Sequence, residues 1–339
     1  MRVGIDARKL ADFGIGTYIR GLLRGLVALN TGNEYVAFAP AGAQLPDGVE
    51  HVVVDAPHYS LRELFVVGRA AERAKVDLFH APHYVVPVTR LPLVVTIHDL
   101  IHLHQPMRNP IAPLYARTML RRAVHKARCV LTVTNAVKTQ LENELGAQNV
   151  MVAPNGVDPV TAPAANRQPP TANFLYVGND KPHKNVSTLL EAFTRLRATM
   201  PEAKLVMVGG DFSRHEGVEA RGFVSDEELS ALYASATALV MPSLEEGFGL
   251  PALEAMAHGA AVITSRDPAL VEVTGDAALH ADARDAEALT SAMLRVAREP
   301  GVRESLAARG LERARFFTWK RCAEVTREAY LRGTSWNIG

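Results

Sequence analysis

Short apolar runs alternate with longer amphipathic segments along almost the whole chain. Runs that are apolar throughout suit strands buried on both faces, and amphipathic segments between them suit helices that cover a parallel sheet. The sequence therefore predicts an α/β protein with parallel sheets wound on both faces. The strand-like runs are residues 3–5, 35–38, 52–54, 78–80, 93–98 and 129–133, followed by residues 174–177, 205–208, 238–241 and 261–264. Helical patterns fall near residues 18–29, 61–75, 186–200, 226–234 and 252–258.

The length of the chain favours two domains. With 339 residues, 48% of them hydrophobic, the chain can form two ordinary cores. A Pro- and Ala-rich stretch, residues 159–170, has the composition of a linker. We predict an N-terminal Rossmann-like domain over residues 1–160 and a C-terminal one over residues 165–318.

Composition excludes several classes of function. The net charge is +1, so a broad nucleic-acid-binding surface is not expected. The two cysteines, Cys129 and Cys322, form no disulfide framework and suit a reducing compartment. No apolar run approaches the roughly 18 residues of a spanning helix, and the first residues are typical of a strand and not of a secretory leader. We expect a cytoplasmic protein, attached at most to the inner face of the membrane.

Two glutamates, Glu246 and Glu254, point to the chemistry. Between them lie Gly247, Phe248, Gly249, Leu250 and Pro251. Proline suits the first turn of a helix, so the pattern indicates a strand, a glycine-rich turn with Glu246, and a helix with Glu254 near its start. A helix start favours anions such as a diphosphate, and a carboxylate there can accept hydrogen bonds from sugar hydroxyls. The pattern therefore predicts a site for a nucleotide diphosphate sugar.

The same segment resembles the Glu-x7-Glu signature of family-4 retaining glycosyltransferases, and other segments resemble that family in the same order. The resemblance implies the GT-B fold, two Rossmann-like domains facing across a cleft. It also implies that the first domain binds the acceptor, that the second binds the donor, and that a final helix within about 319–339 packs back onto the first. The matching segments are residues 1–8, 14–19, 80–83, 96–100, 154–158, 176–185 and 222–226.

The resemblance assigns roles to individual residues. Glu254 is expected to hold the ribose hydroxyls and Glu246 the hydroxyls of the donor sugar. Lys184 and the amides of Gly247, Phe248, Gly249 and Leu250 are expected to stabilise the departing diphosphate. Catalysis is assigned to Glu246, Lys184 and His98, which is expected to touch the donor sugar. The remaining donor contacts are assigned to Gly14 and Gly16, Asn179, and the backbones of Phe223 and Val224.

Each assignment has a plainer alternative. A lone Gly-x-Gly such as Gly14-x-Gly16 is most often an ordinary turn, and a histidine at a strand end, such as His98, is most often a structural hydrogen-bonding group. His98 and His102 are four residues apart, a spacing that raises the alternative of a zinc site, but no Glu or Cys completes a ligand set. The family commonly has an arginine where this chain has Asn179, so the second phosphate contact stays open; Lys181 could supply it.

The subgroup most similar to this chain, the bacterial mannosyltransferases of O-antigen assembly, implies GDP-mannose as donor, with UDP-sugars as the alternative. It also implies a saccharide or lipid-linked saccharide acceptor, retention by front-face attack, and no cofactor or metal. A basic, partly amphipathic segment, residues 108–128, suggests contact with an anionic membrane, although such a segment is more often a solvated face. The rival functions are an inactive nucleotide-binding scaffold subunit, an epimerase or phosphorylase of the same fold, and a glycosidase.

Overall fold

The computed structural model describes residues 1–56, 60–104, 112–160, 172–212 and 215–335. The chain divides into two compact units. The first consists of Met1–Gly156 together with Phe317–Gly339, and the second of Val157–Phe316. Most of the predicted linker lies outside the described residues, because its positions 161–170 are not among them.

The first unit is built on a seven-stranded parallel sheet in the order β3-β2-β1-β4-β5-β6-β7. Side chains alternate between its two faces, so that Tyr35 and Ala37 join one buried core and Val36 and Phe38 the other. The strands are β1 (Arg2–Asp6), β2 (Glu34–Ala39), β3 (Val49–Val53), β4 (Leu78–Ala81), β5 (Leu93–Thr96), β6 (Cys129–Thr132) and β7 (Val150–Val152). The helices are α1 (Ile15–Ala28), α2 (Leu61–Arg73), α3 (Ile101–His104), α4 (Ala112–Lys126), α5 (Asn135–Leu145) and, from the end of the chain, α12 (Trp319–Ser335).

The second unit repeats this plan with a six-stranded parallel sheet in the order β10-β9-β8-β11-β12-β13. The two parallel sheets with their covering helices confirm the predicted α/β class. The strands are β8 (Asn173–Val177), β9 (Lys204–Val208), β10 (Val218–Gly222), β11 (Ala238–Met241), β12 (Ala261–Ser265) and β13 (Ala278–Ala281). The helices are α6 (Val186–Arg197), α7 (Asp226–Ser235), α8 (Leu250–Ala257), α9 (Pro268–Thr274), α10 (Ala286–Arg298) and α11 (Pro300–Ala314).

Three short strands were missed by the sequence prediction, and one was misjudged. β7 is three residues long, and β10 (VEARG) carries charges at alternate positions, so neither forms an apolar run; β13 was missed as well. The run at residues 52–54 was expected to be buried, but β3 is an edge strand with Val53 58% exposed. An edge strand has a neighbouring strand on one side only, so its residues are more exposed than their hydrophobicity suggests.

Capping residues set where several helices begin. The Ser225 hydroxyl accepts a hydrogen bond from the amide of Glu228 and so caps the start of α7. The Glu228 carboxylate pairs with Arg221 of β10 at 3.3 Å. The first turn of α7 is therefore also tied to the strand that precedes it.

The last helix joins the first unit through contacts that only glycine permits. α12 packs against α1, where Trp319 covers Gly21 and Gly25. A Cβ atom at Gly21 would lie 2.1 Å from the Trp319 indole, and one at Gly25 would lie 2.5 Å from the Trp319 carbonyl oxygen. Gly156 lies equally close to the backbone of Trp319: a Cβ atom at Gly156 would lie 2.1 Å from the Trp319 amide nitrogen. These glycines let the terminal helix lie directly on the first unit.

We predict that Gly21→Ala destabilises the protein because the added methyl group overlaps the Trp319 ring. Overpacking of a close-packed site costs about 1–3 kcal/mol, which outweighs the helix propensity that alanine gains. The matched control is Gly301→Ala in α11, where nothing lies within 4 Å of the added atom. Urea denaturation should show a lower free energy of unfolding for Gly21→Ala alone. Equal stability of the two variants would contradict the proposed packing.

Candidate active site

The second sheet reverses its winding direction between β8 and β11. From β8 the chain winds outward through β9 to β10, and it then returns to the other side of β8 with β11, β12 and β13. In open parallel sheets, ligands bind beyond the carboxyl ends of the strands at this switch point. Lys184 follows β8 and Glu246 follows β11, so two predicted site residues come from the strands that flank the switch.

Lys184 and Glu246 form an ion pair. The Lys184 Nζ lies 2.6 Å from Glu246 Oε1, and the two side chains are 17% and 9% exposed. The backbone amide of Glu246 donates to Asp267 Oδ2 at 3.4 Å, which brings in the end of β12. The ends of three strands thus meet at one largely buried ammonium group and its carboxylate partner.

A tight turn holds Lys184 in place. It is the last residue of a 3-10 turn, Pro182–Lys184, which ends at Asn185 in the left-handed conformation with φ 56°. Asn185 Nδ2 donates to the carbonyl oxygens of Pro242 at 3.1 Å and Ala283 at 2.6 Å. The amide of Leu244 donates to the carbonyl of His183 at 2.7 Å. The turn is therefore bonded to the loop that carries Glu246, which fixes both ends of the ion pair.

Asp267 occupies two roles at this edge. Its Oδ1 accepts hydrogen bonds from the amides of Ala269 and Leu270 and so caps α9, while Oδ2 faces the Glu246 amide. Burial raises the pKa of Asp267 to about 6, and the nearby charge of Glu246 also raises it, although the amide hydrogen bonds oppose the change.

The glycine-rich turn leads directly into a helix, as predicted. Gly249 has φ 91° and precedes α8, and Pro251 lies in the first turn. A Cβ atom at Gly249 would be 2.4 Å from the Leu270 side chain, so both backbone conformation and space require glycine there. Phe248 is buried and anchors the turn. The start of α8 therefore presents backbone amides near the ion pair's loop, a geometry suited to an anion.

Glu254 lies further along α8 and meets α7. The hydroxyl of Tyr233 donates to Glu254 Oε2 at 2.7 Å. Burial raises the pKa of Glu254 to about 7; the Tyr233 hydrogen bond opposes this rise, and Asp226 and Asp158 add to it. A carboxyl group that titrates near neutral pH is sensitive to any ligand that donates hydrogen bonds to it.

The other predicted donor contacts lie at neighbouring strand ends. Asn179 follows β8, and its side-chain oxygen accepts the amide of Lys181 at 3.2 Å, so that oxygen is engaged locally. Phe223 and Val224 follow β10, and the Phe223 side chain is 70% exposed. All three residues belong to the second unit with Lys184, Glu246 and Glu254.

The first unit holds the remaining predicted residues. Gly14, with φ 64°, immediately precedes α1, and a Cβ atom on Gly16 would lie 2.4 Å from the Leu10 carbonyl oxygen. His98 Nε2 lies 3.1 Å from the Pro82 carbonyl, to which it must donate, and its ring meets Tyr18 edge-on at 4.7 Å. Burial lowers the pKa of His98 to about 4, so the ring is neutral near pH 7. His98 is thus fixed in orientation, and it offers no positive charge.

Sequence reasoning missed a buried polar cluster in the same unit. Arg8 pairs with Asp6 at 2.7 Å and with Glu63 at 3.0 Å, and all three side chains are almost fully buried. His83 Nδ1 accepts the amide of Val85 and Nε2 donates to Asp6, which identifies the neutral tautomer. The signal was present in the sequence, since Asp6 ends β1 and His83 follows β4 at the switch point of the first sheet.

The described ranges contain no group of three or more His, Cys, Asp or Glu side chains that could hold a metal ion. No helix in the same ranges is long and apolar enough to cross a membrane.

Two glycosyltransferase families match this chain. Residues 14–160 match the family described as "Glycosyltransferase Family 4", and residues 171–299 match "Glycosyl transferases group 1". The chain is 30% identical over 280 residues to the O-antigen chain mannosyltransferase B of Escherichia coli, covering 75% of this chain and 74% of that one. It is 29% identical over 233 residues to the O-antigen chain mannosyltransferase RfbU of Salmonella typhimurium, covering 64% of each.

A solved structure is similar over nearly the whole length. The sucrose-phosphate synthase of Thermosynechococcus elongatus matches with a TM-score of 0.78 and 22% identity, over 98% of both chains. At that identity the likeness establishes the fold alone, which is the GT-B fold predicted from the sequence.

Proposed function

Because the chain belongs to the glycosyltransferases that join a family-4 domain to a group-1 domain, we propose that it transfers mannose from GDP-mannose to a saccharide acceptor in bacterial polysaccharide assembly. The observation that carries this proposal is the Lys184–Glu246 ion pair at the switch point, beside the start of α8. The names of the two O-antigen chain mannosyltransferases support mannose as the sugar and a polysaccharide chain as the acceptor.

The diphosphate is proposed to bind where positive charge already lies. The Lys184 ammonium has three N–H donors and Glu246 accepts one of them, so the others can reach phosphate oxygens without breaking the ion pair. The amides of residues 247–250 supply a second set of donors at the start of α8. As the bond between the sugar and the diphosphate breaks, these groups stabilise the negative charge that develops on the leaving group.

Transfer is proposed to retain the configuration at the sugar. The anomeric carbon loses its bond to the diphosphate oxygen, which keeps the electron pair, and gains a bond to the acceptor oxygen on the same face. The acceptor's proton passes to the departing phosphate oxygen. Glu246 is proposed to bind the donor sugar's hydroxyls, next to the ammonium group of Lys184. No step requires a metal ion, because Lys184 and the helix start meet the diphosphate.

The ribose is proposed to bind at Glu254, whose carboxylate accepts hydrogen bonds from its hydroxyls. The backbones of Phe223 and Val224 are proposed to contact the nucleobase. Asn179 or Lys181 is proposed to supply the second phosphate contact. UDP-sugars are the alternative donors. The intact Lys184–Glu246 pair disfavours an inactive scaffold subunit, because Glu246 is assigned to the donor sugar, which a nucleotide alone lacks.

Contact with an anionic membrane is proposed for one face of α4. Arg117 and Arg121 are exposed there with Leu114, which is 67% exposed. Arg122 is not available, because its guanidinium donates to the carbonyl oxygens of Val86 and Pro87. Arg108, the first residue of the predicted basic segment, lies outside the described residues.

The membrane proposal predicts charge-dependent binding to vesicles. A variant with Arg117→Glu and Arg121→Glu should bind phosphatidylglycerol vesicles at least tenfold more weakly, since each basic side chain near such a surface contributes about 1 kcal/mol. Cosedimentation at low salt measures the effect, with Arg315→Glu, on an exposed surface of the second unit, as the control. Equal binding by all three proteins would exclude α4 as the contact.

The transfer proposal predicts that Glu246→Gln keeps nucleotide binding but loses most turnover. Loss of a group that acts on the reacting sugar lowers kcat about 100-fold or more, whereas GDP has no sugar to contact. Release of GDP from GDP-mannose, compared with release of UDP from UDP-glucose, measures both activity and donor choice. Glu245→Gln is the control, since it removes the adjacent carboxylate. Near-normal turnover by Glu246→Gln would contradict the role, and binding of nucleotide without any release by the wild type would favour the scaffold function.

Lys184→Ala is predicted to weaken the binding of GDP much more than that of GMP. An ammonium that donates to the terminal phosphate contributes about 1.5–3 kcal/mol, equivalent to roughly 10- to 150-fold in affinity. Calorimetry measures both nucleotides, and Lys204→Ala, an exposed lysine at the start of β9, is the control. Turnover should survive EDTA. Equal losses for GDP and GMP would place the diphosphate elsewhere, and a loss of activity in EDTA that a divalent metal restores would refute metal independence.

A further inference from the structure

Tyr233 is buried behind the nucleotide site and contacts one of its carboxylates. It lies on α7, is 1% exposed, and donates its hydroxyl to Glu254 Oε2 at 2.7 Å. Within the described part of the chain this is the one hydrogen bond to the Glu254 carboxylate, so Oε1 keeps its accepting capacity. Glu254 itself is partly exposed. One oxygen is therefore held from behind, and the other is available to a ligand.

A second contact fixes the two helices around this pair. His258 Nδ1 lies 2.8 Å from the Glu254 carbonyl oxygen, which only accepts, so Nδ1 carries the proton. Its Nε2 lies within hydrogen-bonding distance, 2.8 Å, of the hydroxyl oxygen of Ser230 on α7. The rings of Tyr233 and His258 are 5.3 Å apart. Tyr233 and Ser230, three residues apart on one face of α7, thus clamp Glu254 and His258 on α8.

We infer that Tyr233 is a positioning residue of the nucleotide site: its hydroxyl holds the Glu254 carboxylate as an acceptor for a vicinal diol, the ribose of a nucleoside diphosphate, and thereby makes nucleotide affinity depend on pH. The inference rests on the proposed function, because it takes Glu254 as the ribose ligand. A phenol hydroxyl donates to a carboxylate more strongly than to a neutral carboxyl group, so it favours the ionised form that accepts ribose hydroxyls best.

The surroundings of Glu254 act in opposing directions. Burial raises its pKa to about 7, the Tyr233 hydrogen bond lowers it, and the Asp226 and Asp158 carboxylates raise it further. Two contacts of the neighbouring helices with this segment are uncharged: α11 places Gly310 against Met256, and α9 places Leu270 against Gly249. In the nucleotide-free protein a part of Glu254 is therefore protonated at pH 7. Nucleotide affinity should therefore increase as the pH rises through about 7 and decrease as the pH falls below about 7.

Two nucleotides isolate the ribose hydroxyls. GDP and 2′,3′-dideoxy-GDP ionise alike at the phosphates, so the ratio of their dissociation constants removes the titration of the ligand. If the hydroxyls bind the ionised carboxylate, the preference of the wild type for GDP should rise about tenfold from pH 6 to pH 8, one decade per pKa unit below the pKa. UDP and its dideoxy analogue are measured in parallel.

Tyr233→Phe should move this profile to higher pH. Without the hydroxyl the carboxyl group is harder to ionise, so the preference for GDP should drop about fivefold at pH 7 and return to within twofold of wild type at pH 9, for a pKa rise of roughly one unit. The KM for the donor should rise at pH 7 with kcat nearly unchanged, since the ribose contact is present before and during transfer. General damage to the fold would weaken binding equally at every pH.

Tyr330→Phe is the matched control. Tyr330 is also fully buried, its hydroxyl lies 2.7 Å from His80 Nδ1, and it belongs to the first unit, whereas Glu254 belongs to the second. The same substitution there should cost comparable stability and leave the ribose preference unchanged. A wild-type preference that does not vary with pH, or a Tyr233→Phe loss that is equal at pH 7 and pH 9, would overturn the inference while leaving the transferase function in place. Failure of the wild type to bind either GDP or UDP would overturn the proposed function and the inference together.

Discussion

The purely parallel arrangement of both sheets determines where chemistry can occur in this protein. Every strand has its carboxyl end at the same edge, and each sheet reverses its winding once, between β1 and β4 in the first unit and between β8 and β11 in the second. At the reversal the two connections leave in opposite directions, so the edge there is left uncovered by helices. The buried ion pairs Arg8–Asp6 of the first unit and Lys184–Glu246 of the second lie at these two places.

The second unit uses that opening to hold charge in a largely buried setting. A buried ammonium and carboxylate are costly to desolvate, and they persist because they pair at 2.6 Å and because neighbouring loops are bonded to one another. Such a pair is fixed before any ligand arrives, so the proposed binding of a diphosphate needs little reorganisation of its donors. Asp267 and Glu254, with pKa values raised to about 6 and 7, show the electrostatic cost of placing further carboxylates there.

The first unit holds two histidines, His80 and His98, whose low pKa values leave the rings neutral near pH 7. Burial lowers the pKa of His80 to about 3 and that of His98 to about 4, so both rings act through hydrogen bonds. His80 connects Tyr330 of the terminal helix to Thr96, and Tyr18 bonds to the same threonine while its ring touches His98. The docking of α12 through the Trp319 contacts thereby supports the surroundings of His98.

Local pattern was enough to predict the order of most strands and helices, the glycine-rich turn before α8, and Glu246 and Glu254 as candidate site residues. These follow from spacing and backbone conformation within a few residues. Lys184 was assigned by the family resemblance, and the roles of all three residues remain predictions. The strands β7, β10 and β13 were not predictable in this way, because they are short or charged and owe their pairing to neighbouring strands. The Lys184–Glu246 pair joins residues 62 positions apart, and the Tyr233–Glu254 contact joins residues 21 apart. Only the tertiary structure decided those contacts and the raised pKa of Glu254, because burial and partners depend on which strand ends and helix faces the fold brings together.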